Sequence, residues 1–134
     1  MQDSIFTKII RGEIPSHKIY EDEKTLAFLD IFPATEGHTL VIPKSQVEFV
    51  WDLEDDEYQA LMGSVKKVAR RLREVTGKTY VGTMVIGTDV PHAHVHVVPF
   101  ESASDVKSVV SMKGRDQKEP DHEALARLAE KLRF

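Results

Sequence analysis

Three histidines recur at every second position in Pro91-His92-Ala93-His94-Val95-His96-Val97-Val98-Pro99, half of the six in the chain. Side chains alternate faces along an extended strand, so His92, His94 and His96 are expected on one face and Ala93, Val95 and Val97 on the other. At ~3.3 Å rise per residue, adjacent members of the row lie roughly 6.6 Å apart along the strand and the outer pair about 13 Å apart. All three cannot close on one metal ion, although two adjacent ones could chelate one with further ligands from elsewhere. A water-facing polar strand is the plain reading of a single histidine. Three on one face, with β-branched residues behind them, point to chemistry, because imidazole changes charge near neutral pH. With an ordinary pKa of ~6.5, much of it is unprotonated at pH 7 and its bare nitrogen is a nucleophile.

The elements that must position this row can be read on either side of it. A short helical segment over residues 5–11 stops at Gly12, and strands are predicted over residues 17–21, 25–29 and 37–43, the last carrying a fourth histidine, His38. From Glu54 to Val75 the apolar positions Tyr58, Leu61, Met62, Val65, Val68, Ala69 and Leu72 recur at three- and four-residue intervals, the signature of a long amphipathic helix. Acidic residues crowd its start, arginines its end, and Gly77 follows. Gly63 within it suggests close packing. Strands over 78–87 and 91–100 are expected to form a hairpin through Thr88-Asp89-Val90. Residues 101–119 read as a polar, mobile surface loop, and residues 120–134 as a C-terminal helix capped by Asp121, with Ala124, Leu125, Leu128, Ala129 and Leu132 as its apolar stripe.

Composition narrows the function classes. A chain of 134 residues with 41% hydrophobic and 30% charged content suits a single globular domain over 1–134. With 22 acidic against 18 basic residues the net charge is −4, which argues against a partner such as the nucleic-acid backbone. Cysteine is absent, so disulfides, thiolate metal sites and thiol nucleophiles are excluded. No run approaches the ~20 apolar residues of a membrane span, and the N-terminus lacks the apolar stretch of a signal peptide, so a cytoplasmic location is expected.

Four segments in order, Ile5-Phe6-Thr7-Lys8-Ile9-Ile10-Arg11-Gly12-Glu13-Ile14-Pro15, Asp30-Ile31-Phe32-Pro33, Gly37-His38-Thr39-Leu40-Val41-Ile42-Pro43-Lys44 and His92-Ala93-His94-Val95-His96-Val97-Val98, resemble the histidine triad (HIT) superfamily of nucleotide hydrolases and transferases. The resemblance implies an α+β fold: an antiparallel sheet of about five strands, one long helix packed on it, and short N-terminal and C-terminal helices. It implies a purine nucleotide as substrate, with His94 attacking the α-phosphorus to give a covalent nucleotidyl-histidine that water hydrolyses. In that scheme the backbone carbonyl of His92 fixes the tautomer of His94, and His96 with His38 flanks the phosphate, where hydrogen-bond donors meet developing negative charge. Asp30 would accept the ribose hydroxyls, and Phe6, Ile9, Phe28, Ile31 and Leu40 would form the slot for the base. Such chemistry is mainly positioning and charge stabilisation, so neither a catalytic metal nor a cofactor is expected. A symmetric homodimer is implied as well.

The chain departs from the family in two places. Where many members carry Cys-x-x-Cys near the N-terminus as half of a structural zinc site, this chain has Ser4 and Thr7, and Gln46 stands where a further zinc-ligand histidine is common. No structural zinc is expected, and the local fold is expected to rest on hydrophobic packing alone. Upstream of the triad, Gly87-Thr88-Asp89 replaces the familiar Gly-Gln-Ser, so Thr88 and Asp89 take the positions that touch phosphate and leaving group, unless Asp89 is a plain turn residue. Phosphoramidate hydrolysis, dinucleoside polyphosphate hydrolysis and nucleotidyl transfer share the first half-reaction. A non-catalytic nucleotide-binding module and a metalloenzyme built on His38, His94 and His92 or His96 are the competing classes.

Overall fold

The computed structural model describes residues 2–111 and 119–134. In chain order the elements are α1 (Ile5–Ile10), β1 (Lys18–Glu21), β2 (Thr25–Leu29), β3 (Thr39–Pro43), a 3-10 turn (Val50–Asp52), α2 (Asp55–Thr76), β4 (Tyr80–Met84), β5 (Val95–Phe100), a second 3-10 turn (Ala103–Val106), α3 (Lys107–Ser111) and α4 (His122–Leu132). The strands form one antiparallel sheet in the order β1-β2-β3-β5-β4. This is the expected α+β architecture.

Strand alternation divides the sheet into two apolar faces. Ala27, Leu29, Val41, Val95 and Val97 meet Leu61, Val65, Val68 and Leu72 of α2, with Leu125, Ala129 and Leu132 of α4 completing that core. The opposite residues, Leu26, Phe28, Leu40 and Ile42, are covered by Phe6 and Ile9 of α1. Every position of β2 and β3 is therefore buried, as expected of strands covered on both sides. The partner of α4 is α2 together with β1 and β2, and the Arg71 guanidinium ties them by donating to the carbonyls of Leu132 at 2.9 Å and Lys131 at 3.0 Å. The apolar stripe of α4 is thus core packing.

Several boundaries differ from the sequence reading. β5 begins at Val95 and not at 91, and β4 spans Tyr80–Met84 and not 78–87, so the connection between them runs from 85 to 94. The reason is where the backbone bonds go: His92 N–H donates to Val90 O at 2.8 Å and Ala93 N–H to Val47 O at 2.7 Å, while Pro91 has no N–H to offer a ladder. β3 starts at Thr39, because Gly37 sits at φ 100° and turns the chain into it. Part of the loop expected over 101–119 is helical, since the second 3-10 turn and α3 occupy 103–111; residues 112–118 lie outside the described residues. The 3-10 turn at Val50–Asp52 has no counterpart in the sequence reading.

The glycines separate packing from conformation. A Cβ on Gly63 would meet nothing within 4 Å, so it faces open space and the close packing expected there is not found. A Cβ on Gly37 would lie 3.0 Å from Pro99 Cγ and 3.2 Å from Leu72 Cδ2, at a backbone angle that side chains rarely adopt. Gly63→Ala is expected to raise stability by about 1 kcal/mol and Gly37→Ala to lower it by about 2 kcal/mol or more. Urea unfolding of both variants checks this; shifts of the same sign would refute the assignment.

Candidate active site

His92, His94, His96 and His38 are all buried, yet they do not form one row. Only His96 lies within β5; His92 and His94 belong to the connection before it. The register sets His96 opposite Leu40 on β3, and Leu40 opposite Phe28 on β2, giving a row of side chains across the face that α1 covers. His38, one residue before β3, reaches the end of that row. The ring centroids of His38 and His96 are 5.2 Å apart and those of His94 and His96 are 5.3 Å apart, making a contiguous group of three. Phe6 of α1 stands edge-on to His94 at 5.2 Å.

Hydrogen-bond chemistry assigns the protons. A carbonyl only accepts, so His94 Nδ1, 2.7 Å from His92 O, carries the hydrogen and His94 Nε2 is left with a bare lone pair. Ala34 N–H donates to His38 Nδ1 at 2.9 Å, which makes His38 Nε2 the protonated nitrogen. That nitrogen is 2.9 Å from His96 Nδ1, which must then accept, placing the remaining proton on His96 Nε2. A backbone amide thus sets, through two rings, a donor on His96, whose ring centroid lies 5.3 Å from that of His94. Asp30 lies beside this relay, its Oδ2 3.6 Å from His38 Nε2 and its Oδ1 accepting Phe32 N–H at 2.9 Å. Among the described residues, Asp30, His38 and His96 bring one ligand atom each within 4.8 Å of one another. A cation there would compete with the relay for the same nitrogens, and it is not the grouping with His94 that a metalloenzyme reading supposed.

His92 points elsewhere. Its Nε2 is 2.8 Å from Pro43 O, so that nitrogen is the protonated one, and its Nδ1 is 2.8 Å from Ser4 Oγ. Burial pushes its pKa down, more than the Pro43 carbonyl pushes it up, and neighbouring His94 lowers it further. Ser4, Thr7 and Gln46 form a polar cluster around this ring: Thr7 Oγ1 donates to Gln46 Oε1, which also accepts Ser4 N–H at 2.8 Å. Hydrophobic packing alone was expected here, and the structure corrects that. Neutral hydroxyl and amide oxygens already engaged with one another do not suit zinc, which favours thiolate, imidazole and carboxylate.

Of the apolar residues predicted for the base, Phe6, Ile9, Phe28 and Leu40 pack in one cluster, with Phe6 and Phe28 edge-to-face at 5.5 Å. Ile31 is outside it, 37% exposed, and lines a cleft of about 580 Å³ between the 31–37 loop and α4. Thr88 and Asp89 are exposed on the turn, where Thr88 Oγ1 donates to Asp89 Oδ1 at 3.3 Å. The residues that sequence reasoning did not place in the site are Ser4 and Ala34; the first was legible only as a missing zinc ligand, and the second acts through its backbone.

The same arrangement of segments recurs in known proteins. The chain is 38% identical over 125 residues to Protein hit of Bacillus subtilis, covering 90% of this chain and 86% of that one. It is 33% identical over 138 residues to the adenosine 5'-monophosphoramidase of Candida albicans, covering 96% and 88%. A histidine triad nucleotide-binding protein from Sulfolobus tokodaii superposes with a TM-score of 0.81 at 31% identity, covering 96% of this chain and 88% of that one. The model of the HIT domain matches residues 11–103, the stretch that carries all four buried histidines, and the chain belongs to the HIT domain family.

Proposed function

We propose that the chain is a nucleotide hydrolase that cleaves a phosphoramidate or phosphoanhydride bond at the α-phosphate of a purine nucleotide. The observation that carries this reading is the 2.7 Å bond from His94 Nδ1 to His92 O, which leaves Nε2 bare for attack. His94 Nε2 forms a bond to the α-phosphorus as the bond to the leaving group breaks. The leaving group departs with a proton taken up from solvent, while His96 Nε2–H donates a hydrogen bond to a phosphate oxygen where negative charge develops, and the relay from His38 keeps that donor in place. Water then attacks the nucleotidyl-histidine as the P–Nε2 bond breaks, its proton passing to solvent, which releases the nucleoside monophosphate and leaves His94 Nε2 bare again. A pure binding module has no need of a nucleophile whose tautomer is set in this way. Support also comes from the relatives, among them proteins named adenosine 5'-monophosphoramidase at 33% and 35% identity.

Asp30 is the acceptor for the ribose hydroxyls in this reading, and Phe6, Ile9, Phe28, Ile31 and Leu40 form the apolar wall for the base. Thr88 and Asp89, in solvent on the turn, stand at the leaving-group side. A symmetric homodimer belongs to the same proposal, supported by the sheet edge that β4 leaves open. No helix of the described residues is long and apolar enough to cross a membrane.

Adenosine 5'-phosphoramidate is expected to be turned over by the wild type and to be hydrolysed roughly 10³-fold or more slowly by His94→Asn. Steady-state assay of ammonia release decides it: a His94→Asn variant with wild-type turnover would overturn the mechanism. Asp30→Asn keeps an acceptor for Phe32 N–H but loses the carboxylate. It is expected to shrink the preference for ribose over 2'-deoxyribose conjugates by about 10-fold or more in kcat/KM. An unchanged preference would remove Asp30 from the ribose site.

A further inference from the structure

The His92 carbonyl that orients His94 lies on a stretch the sheet does not hold. The last pair of β3 with β5 is Val41–Val95, and the last of β4 with β5 is Met84–His96. What fixes residues 92–94 is the pair of backbone bonds to Val90 and Val47 together with the two bonds of the His92 ring. One ring bond goes to Pro43 at the end of β3, and the other to Ser4, the N-cap of α1. The ring is therefore a strut between sheet and helix, and its own carbonyl moves if the strut is released.

The protons in this strut have one consistent arrangement. His92 Nδ1 carries a lone pair, because the ring proton faces the Pro43 carbonyl. Ser4 Oγ accepts Thr7 N–H at 3.0 Å and has one hydrogen to give. It lies 2.8 Å from His92 Nδ1 and 3.3 Å from Thr7 Oγ1, and giving the hydrogen to Thr7 would leave the buried ring nitrogen only Thr7 at 3.4 Å. Thr7 in turn gives its hydroxyl hydrogen to Gln46 Oε1, and Gln46 Nε2 donates to Gln2 O at 2.8 Å, so the amide faces one way. We propose that Ser4, set by Thr7 and Gln46, is a positioning residue for His94: its hydroxyl donates to His92 Nδ1 and thereby holds the carbonyl that keeps His94 Nε2 bare and aimed. The inference rests on the reading of His94 as nucleophile. It gives the polar cluster a catalytic consequence in addition to its part in the fold.

The test is the kcat and KM of Ser4→Gly, Ser4→Cys and Ser4→Thr with adenosine 5'-phosphoramidate, alongside His94→Asn. Glycine is a tolerable N-cap, so Ser4→Gly removes the donor with little capping loss. Its kcat is expected to fall about tenfold, the equivalent of one buried hydrogen bond, with KM unchanged. Ser4→Thr keeps the hydroxyl and is expected to recover most of kcat, and Ser4→Cys, a weaker donor of similar size, to fall between; Ser4→Cys also serves if Ser4→Gly does not fold. A purely structural role lowers the unfolding temperature of the glycine and cysteine variants and leaves kcat of the folded protein intact, which would overturn the inference. If His94→Asn is inactive while Ser4→Gly and Ser4→Cys keep wild-type kcat, the positioning role alone fails. If His94→Asn remains active, the nucleophile reading itself fails.

Discussion

Imidazole has one proton and two nitrogens, and in a buried site hydrogen bonding decides which nitrogen holds it. The bond from His94 Nδ1 to the His92 carbonyl fixes that choice for the ring nearest to Phe6. The other buried imidazoles are fixed the opposite way: His92 by Pro43, His38 by Ala34 N–H, and His96 by His38, all with the proton on Nε2. One ring thus presents a lone pair while its neighbour presents a donor. An imidazole with a bare Nε2 and an imidazole with a donor Nε2–H coexist at one pH because hydrogen bonding keeps their tautomers apart.

The fold supplies this contrast by using both sheet faces. The α2 face holds Val41, Val95 and Val97 and has only packing to do. On the other face the Phe28, Leu40 and His96 row carries the site, and α1 closes it with Phe6 and Ile9. Gly37 lets the chain enter β3 so tightly that Pro99 and Leu72 leave no room for a side chain there. That turn delivers His38 to His96. The Ser4 cap of α1 reaches back to His92, so the helix that covers the site is also bonded to the segment that bears His94.

Much of this was legible in the residues. The two helical periodicities gave α2 and α4, with Gly77 and Asp121 ending and starting them where the structure does. The alternation of Val95, His96 and Val97 gave β5, and the family resemblance set His96 with His38. What could not be read is where His92 points. Period-two spacing put it on the face with the others, but its backbone neighbours bond to Val90 and Val47 and its ring to Pro43 and Ser4. Those ring partners lie 49 and 88 residues away in sequence, beyond anything local pattern encodes. The same holds for Ser4, Thr7 and Gln46, whose types signal the loss of a zinc site but not the hydrogen bonds that occupy its place.

The central claim concerns the position of one hydrogen, and long-range proton–nitrogen NMR of the histidine rings measures it directly. The account predicts that His94 is the exception among the four buried imidazoles, protonated at Nδ1 with Nε2 bare, while His38, His92 and His96 are protonated at Nε2. A His94 signal showing the hydrogen on Nε2 would contradict it, since the nitrogen assigned to attack phosphorus would then have no lone pair to offer.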